Sequence, residues 1–416
     1  MSERPATEQV AASDGVARGL VGVTVAGWLG NILSYLLLLA AARRLGDADY
    51  AELVTLFNLL LVGSVPSFAL QAVAARRMAV AQAAGLWQAG LGIGVAAGLL
   101  IAALAPLLVS FLHLPGAYGV LFVAVAMPAT AVQGLCQGVL QGEQRFVGLA
   151  AATFVGIAGR SVAGLVGLFA TGSAGATLLA IAIGVTAAAV LSALALPELR
   201  RRGHAGLRML GPLIVECGHA AHAYGVFLLL SVSDVLLARH VLGTSAAALY
   251  AAGSILTKAT LWLPQSVANV LFASLTDTER HHRVFGRAVA SIAGLAAVLA
   301  AGCWLLGPLV AAIVGGNSYP DLGSLIWLFA GLGGCLAVLQ FTLVAGLALR
   351  SLGVTVLIWL SVLAEVLAVL SLDTPSVREV VSVVSLINLV SAGCAVALRL
   401  APAHRAGPHR PVSDAR

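Results

Sequence analysis

The chain has 416 residues, of which 60% are hydrophobic and 10% charged, and its net charge is +6. A soluble domain is about half apolar and about a quarter charged, so a water-soluble fold is excluded and the bilayer must be the solvent. The basic residues, all Arg except Lys258, are scattered among short loops, which excludes a nucleic-acid-binding patch.

The N-terminal segment 1–18 carries Glu3, Arg4, Glu8, Asp14 and Arg18. It lacks the pattern of a cleaved signal peptide and is predicted to be a disordered cytoplasmic tail. Twelve apolar runs follow, near 19–42, 51–74, 86–112, 117–140, 146–171, 175–197, 212–238, 247–273, 287–314, 322–348, 352–371 and 379–399. Each is long enough to cross a bilayer. Backbone polar groups in lipid must be satisfied within the segment, so the runs are predicted to be helices. The strands of a barrel would be shorter and would alternate in polarity. Residues 401–416 are polar and form a second predicted disordered tail.

Arginine placement sets the predicted topology. With both termini inside, the outer loops hold only Arg43, Arg44, Arg239 and Arg378. Arg160 and Lys258 fall within spans, and every other basic residue lies inside. The reading is therefore N-in, C-in and multi-pass, and the Arg-rich, Ala-rich composition suggests a bacterial cytoplasmic membrane.

The sequence also repeats. ARRLGDADY at 42–50 parallels ARHVLGTSAAALY at 238–250, aligning Tyr50 with Tyr250. Pro66 aligns with Pro264, and Ala105-Pro106-Leu107-Leu108-Val109 with Gly307-Pro308-Leu309-Val310. The offset is always close to that between the two tyrosines. Two six-helix halves of like orientation follow, 19–197 and 212–400, joined by the basic cytoplasmic linker 198–211. A pseudo-twofold axis along the membrane normal is expected.

Several phrases resemble a known family. Leu29-Gly30-Asn31 through Ala42-Arg43-Arg44-Leu45-Gly46-Asp47-Ala48-Asp49-Tyr50 is similar to the first-helix signature of Wzx-like polysaccharide-biosynthesis flippases. These are a branch of the multidrug/oligosaccharidyl-lipid/polysaccharide (MOP) exporter superfamily. Ala51 stands where the family usually has Gly. Gly138 to Phe146 resembles the loop after the fourth span. Ser233-Asp234, Leu242-Gly243 and Leu249-Tyr250-Ala251-Ala252 resemble the seventh-to-eighth signature. Phe272-Ala273-Ser274-Leu275 lacks a Pro common in the family. The resemblance implies a MATE-like, V-shaped pair of bundles that alternate access across the membrane. Its implied cargo is a lipid-linked oligosaccharide or polysaccharide precursor turned from the cytoplasmic to the outer leaflet. It implies no cofactor, and work beside a polysaccharide polymerase or glycosyltransferases.

Ionisable groups inside a membrane are costly and mark functional candidates. Lys258, about 15 Å into a span entered from outside at 1.5 Å per residue, could attract the phosphates of a lipid carrier as a point charge. The alternative is an ion pair between helices. Arg160, deep in the fifth span between Gly159 and Ser161, is a second cavity candidate, or a structural pair. Glu216 and His219 share a helix face and are candidates for proton coupling. With His222 they fan around the helix, which suits no metal site. Asp234, near the outer face, is a candidate outer-gate residue with Arg239, Arg43 and Arg44. Glu365 lies buried in the eleventh span without an evident partner and reads as structural. Pro66, Pro106, Pro128, Pro264 and Pro308 predict kinks. The five cysteines, Cys136, Cys217, Cys303, Cys335 and Cys394, read as small apolar residues.

A drug or cation antiporter of the same superfamily is the alternative transporter, and would favour acids deep in the cavity. A membrane-embedded glycan-processing enzyme is a third reading. The outer loops are short and hold no nucleophile elbow or metal motif, so no catalysis is expected.

Overall fold

The computed structural model describes residues 6–80, 82, 84–201, 207–262, 281–315, 318–348 and 353–400, and among them there is no strand. The helices of the first half are α1 (Ala6–Arg44), α2 (Asp47–Gly63), α3 (Val65–Ala79), α4 (Leu86–Ala103), α5 (Ala105–Phe111), α6 (Tyr118–Gly142), α7 (Phe146–Thr171) and α8 (Ala174–Leu194). The short α9 (Pro197–Arg201) begins the linker. The second half comprises α10 (Leu207–Val241), α11 (Thr244–Trp262), α12 (His281–Leu305), α13 (Gly307–Gly315), α14 (Ile326–Ala348), α15 (Gly353–Leu370) and α16 (Val377–Leu400).

Eleven segments of the described residues are long and apolar enough to cross a membrane. The eighth of the twelve expected runs is represented by α11. Its continuation beyond Trp262, with Pro264 and the 272–275 phrase, lies outside the described residues. Large apolar side chains such as Val147, Leu99 and Trp304 stand exposed on the outside of the helices. In water they would form aggregating patches; in lipid they are solvated. The 1–18 segment departs from expectation, since α1 is already helical from Ala6. Its Ala, Glu, Gln and Arg residues are good helix formers, and an adjoining membrane helix removes the nucleation cost.

Proline placement explains the broken spans. Pro66, Pro106 and Pro308 each stand in the first turn after an interruption, at the starts of α3, α5 and α13. A proline tolerates that position because its missing N–H has no partner there. The second and third spans, and the ninth, are thus each two helices end to end. Pro128 sits inside an unbroken α6.

The two halves pack by the same plan. In the first, α1 lies on α7, α7 on α8, α3 and α4 on α6, and α6 on α8. In the second, α10 lies on α15, α15 on α16, α11 and α12 on α14, and α14 on α16. The offset seen in the sequence is therefore a duplication of structure. Tyr50 and Tyr250 are both fully buried.

Close packing rests on small residues. Gly134, Gly138 and Gly142 recur every four residues on α6, and a Cβ at any of them would strike the carbonyl oxygens of Ser67, Gln71 and Ala75 on α3. The lobes meet where α2 and α3 face α10, α11 faces α2, and α1 faces α13.

Candidate functional site

The polar residues inside the spans fall into separate groups. The largest lies within the second lobe, between α10, α11, α15 and α16. Lys258 Nζ donates to the Ser231 carbonyl, one turn before Asp234 on α10. The carboxyl groups of Asp234 and Glu365 lie close enough to act on its charge electrostatically, without forming a direct ion pair. Tyr250 donates its hydroxyl proton to Asp234 Oδ2 at 3.2 Å. Ser233 Oγ and Asn388 Nδ2 donate to the two oxygens of Glu365. Asp234, Glu365, Tyr250, Ser233 and Asn388 are all buried. A buried charge is tolerated where it is paired and hydrogen-bonded; this cluster gathers opposite charges and bonds both oxygens of Glu365, while Asp234 Oδ1 is left without a hydrogen bond.

The cluster revises two expectations. Asp234 faces Lys258 and Tyr250 rather than any of the outer arginines. Glu365, which the sequence leaves without a partner, shares the Lys258 cluster. Seen singly, Lys258 is a free cation at mid-membrane; in place, it is compensated by two acids.

Arg160 is different. It projects from α7 with its guanidinium over the Phe57 ring of α2, 5.3 Å from the ring centre. Its Nε is buried and makes no hydrogen bond. Among the described residues no acid pairs with it. Neighbouring Ser161 bonds Ser34 of α1 at 2.9 Å, closing α7 on α1. The phenyl face supplies quadrupolar attraction without neutralising the charge, and the Nε–H is left without an acceptor. Phe57 was missed by sequence reasoning, since a lone Phe in an apolar run carries no signal.

At the predicted cytoplasmic face, Glu216 of α10 bridges to the other lobe. Arg77 of α3 donates to Glu216 Oε2 through Nε at 3.1 Å and Nη2 at 2.9 Å, and Arg76 donates to Oε1. His219 Nδ1 instead donates to the Val215 carbonyl of its own helix. The expected Glu216–His219 carboxylate–imidazole pair is therefore absent. The i−4 carbonyl is the nearest acceptor for His219, and the arginines outbid the imidazole for Glu216. His222 accepts from the Trp359 indole at 3.0 Å. Among the described residues no cluster could hold a metal.

At the predicted outer face the expected gate residues find backbone rather than carboxyl partners. Arg239 donates to the Leu112 and His113 carbonyls, each at 3.1 Å. His240 Nδ1 bonds the Phe111 carbonyl at 2.6 Å, which fixes that nitrogen as the donor. Arg43 donates to the carbonyls of Ala312 and Ile313. Arg44 stays within its own lobe, bonding the Phe169 carbonyl at 3.3 Å over the Phe169 ring. A cleft of about 230 Å³ opens here beside His113, Arg239, His240, Leu242, Gly243 and Thr244.

The comparisons agree with this architecture. The lipid II flippase MurJ in an inward-closed conformation superposes with a TM-score of 0.71 at 10% identity, over 91% of this chain and 87% of that one. A MATE protein in complex with MaL6 gives 0.63 at 14% identity, over 92% and 96%. A MOP superfamily transporter from Pyrococcus furiosus gives 0.55 at 14% identity, over 92% and 96%. At these identities the likeness establishes the fold. No curated protein matches the sequence significantly. A family model described as polysaccharide biosynthesis protein matches residues 51–322. With a multi-span MOP-type transporter fold and that match across most of its length, the chain belongs to the polysaccharide biosynthesis protein family.

Proposed function

We propose that the protein carries a lipid-linked saccharide with an anionic, phosphate-bearing head group across a bacterial cytoplasmic membrane, from the inner to the outer leaflet. Both termini lie inside, and the two lobes rock about the α2–α3 and α10–α11 seam. The observation that carries this reading is Arg160, a membrane-embedded guanidinium with no acidic partner among the described residues, set over Phe57. Phe57 belongs to α2, a helix of the seam between lobes. An uncompensated arginine is expensive in lipid, and an anionic ligand would repay that cost with charge-assisted hydrogen bonds. Lys258, already compensated by Asp234 and Glu365, fits a secondary role within its lobe.

The antiporter reading has one observation in its favour, the acids Asp234 and Glu365 buried in the second lobe. The test separates the two. Deleting the gene in its host and quantifying polyprenyl-linked glycans with surface polysaccharide should show precursor accumulating while polymer falls. Unchanged glycans with raised sensitivity to a cationic drug would overturn the flippase reading in favour of the antiporter. A polymerase or glycosyltransferase partner on the outer side follows only from the first outcome.

A further inference from the structure

We propose that the outer face is held shut by a duplicated arginine latch, one copy from each half of the repeat. The first helix of each half ends in a basic residue at that face, Arg43 on α1 and Arg239 on α10. Each reaches into the other lobe. Each finds the carboxyl-terminal carbonyls of the short helix that follows a proline break. Arg43 takes Ala312 and Ile313 of α13; Arg239 takes Leu112 and His113, at the end of α5. The donors correspond through the Ala-Arg phrase that closes each first helix, and the acceptors are separated by the same offset as Tyr50 and Tyr250.

The chemistry explains the choice of partner. The last carbonyls of a helix have no intrahelical donor and carry the negative end of its dipole. A guanidinium offers several donors in a fixed fork and keeps its charge. At α5 the chain turns sharply: His113 has φ of 48° and Leu114 N–H returns to the Val109 carbonyl at 3.0 Å. That turn exposes the Phe111, Leu112 and His113 carbonyls side by side. His240 adds to this copy, its ring 4.2 Å from Phe111 and nearly parallel to it. The proline breaks make both acceptor helices short segments, able to shift without unwinding a whole span. Opening the face requires both latches to release, because each spans the seam in the opposite sense.

The inference rests on alternating access, and its test reads conformation rather than transport. Spin labels carried on non-canonical residues at Ser110 and Ser245, both exposed and in opposite lobes, report the separation across this face in lipid nanodiscs by double electron–electron resonance. Arg239→Ala should raise the ratio of long to short distances by about tenfold, the size expected for losing a charged hydrogen bond. Arg43→Ala, more exposed, should raise it less, and the double variant should approach the product. Arg44→Ala, whose bonds stay inside one lobe, should leave the distribution unchanged and serves as the control for general loosening. A double variant with the parental distribution overturns the latch, as does an equal response to Arg44→Ala. Transport lost with distances unchanged would likewise overturn the latch while leaving the transporter reading intact.

Discussion

The cross-lobe bridge at the opposite face can be weighed residue by residue. Glu216 accepts from two arginines, but their surroundings differ. Arg77 is 17% exposed and makes two bonds to one carboxylate oxygen, whereas Arg76 is 70% exposed and makes one. An exposed ion pair is worth about 0.2–1 kcal/mol and is screened by salt; a sheltered charged hydrogen bond is worth about 1.5–3 kcal/mol. Discounting for the partial exposure of Glu216, Arg77 should contribute about 1–1.5 kcal/mol and Arg76 less than about 0.5. Arg77→Ala should then shift the closed-to-open ratio of this face by roughly five- to fifteenfold, and Arg76→Ala by no more than about twofold. Glu216→Gln should fall at or slightly beyond Arg77→Ala. The assay is the distance distribution between spin labels at Val80, just past α3, and Gly218 on α10 in nanodiscs, with salt raised from physiological to about 1 M, where the Debye length is about 3 Å. The reasoning fails if Arg76→Ala opens the face as far as Arg77→Ala does, or if Glu216→Gln leaves the distances unchanged.

Gly138→Leu would drive a side chain into the backbone of α3 at Gln71, and should cost about 3 kcal/mol, the upper end for overpacking. Thermal unfolding in detergent followed by size-exclusion chromatography checks it; an unshifted midpoint would mean that α3 and α6 do not pack this closely. Phe57→Leu should reduce uptake of precursor into proteoliposomes by about two- to thirtyfold, matching a cation–π contact of 0.5–2 kcal/mol, with Arg160→Met lowering it further at normal abundance. Reporter fusions in loop 75–85 should report the cytoplasm, and an external signal there would reverse the topology.

The spans were legible because lipid leaves the backbone little choice: a long apolar run must be a helix. The duplication was legible because Tyr50 and Tyr250, and the breaks before Pro106 and Pro308, are not residues that an Ala- and Leu-rich composition aligns by accident. That Lys258 and Arg160 sit inside helices could be counted from the run edges. Their partners could not. Asp234 and Glu365 meet Lys258 across three helices, and no periodicity along a single helix reports a contact between helices. The acceptors of Arg43 and Arg239 are backbone carbonyls, which every residue has and which only a helix end makes available. His219 failed as a partner of Glu216 because a free carbonyl on its own helix and two arginines on α3 offered each group a better bond.

The two lobes share a packing plan but hold their charges differently, and that difference can be tested directly. In the first lobe Arg160 is opposed, among the described residues, only by an aromatic face. In the second, Asp234 and Glu365 offset the charge of Lys258, and Ser233, Tyr250 and Asn388 donate hydrogen bonds to the two acids. A compensated cluster ties its helices together, whereas under the proposed function an uncompensated cation is there for an external anion. Removing the cation from a buried pair strands its acids and costs about 3–5 kcal/mol, while removing charge from both sides is close to neutral. Lys258→Met should therefore lower stability sharply, Glu365→Gln less, and the double variant should recover much of the loss, giving a coupling energy above about 1 kcal/mol in the cycle. Arg160→Met has no acid to strand, so it should leave stability near the parent. Strict additivity between Lys258 and Glu365, or a loss at Arg160 as large as that at Lys258, would show that the charges are not divided between the lobes in this way.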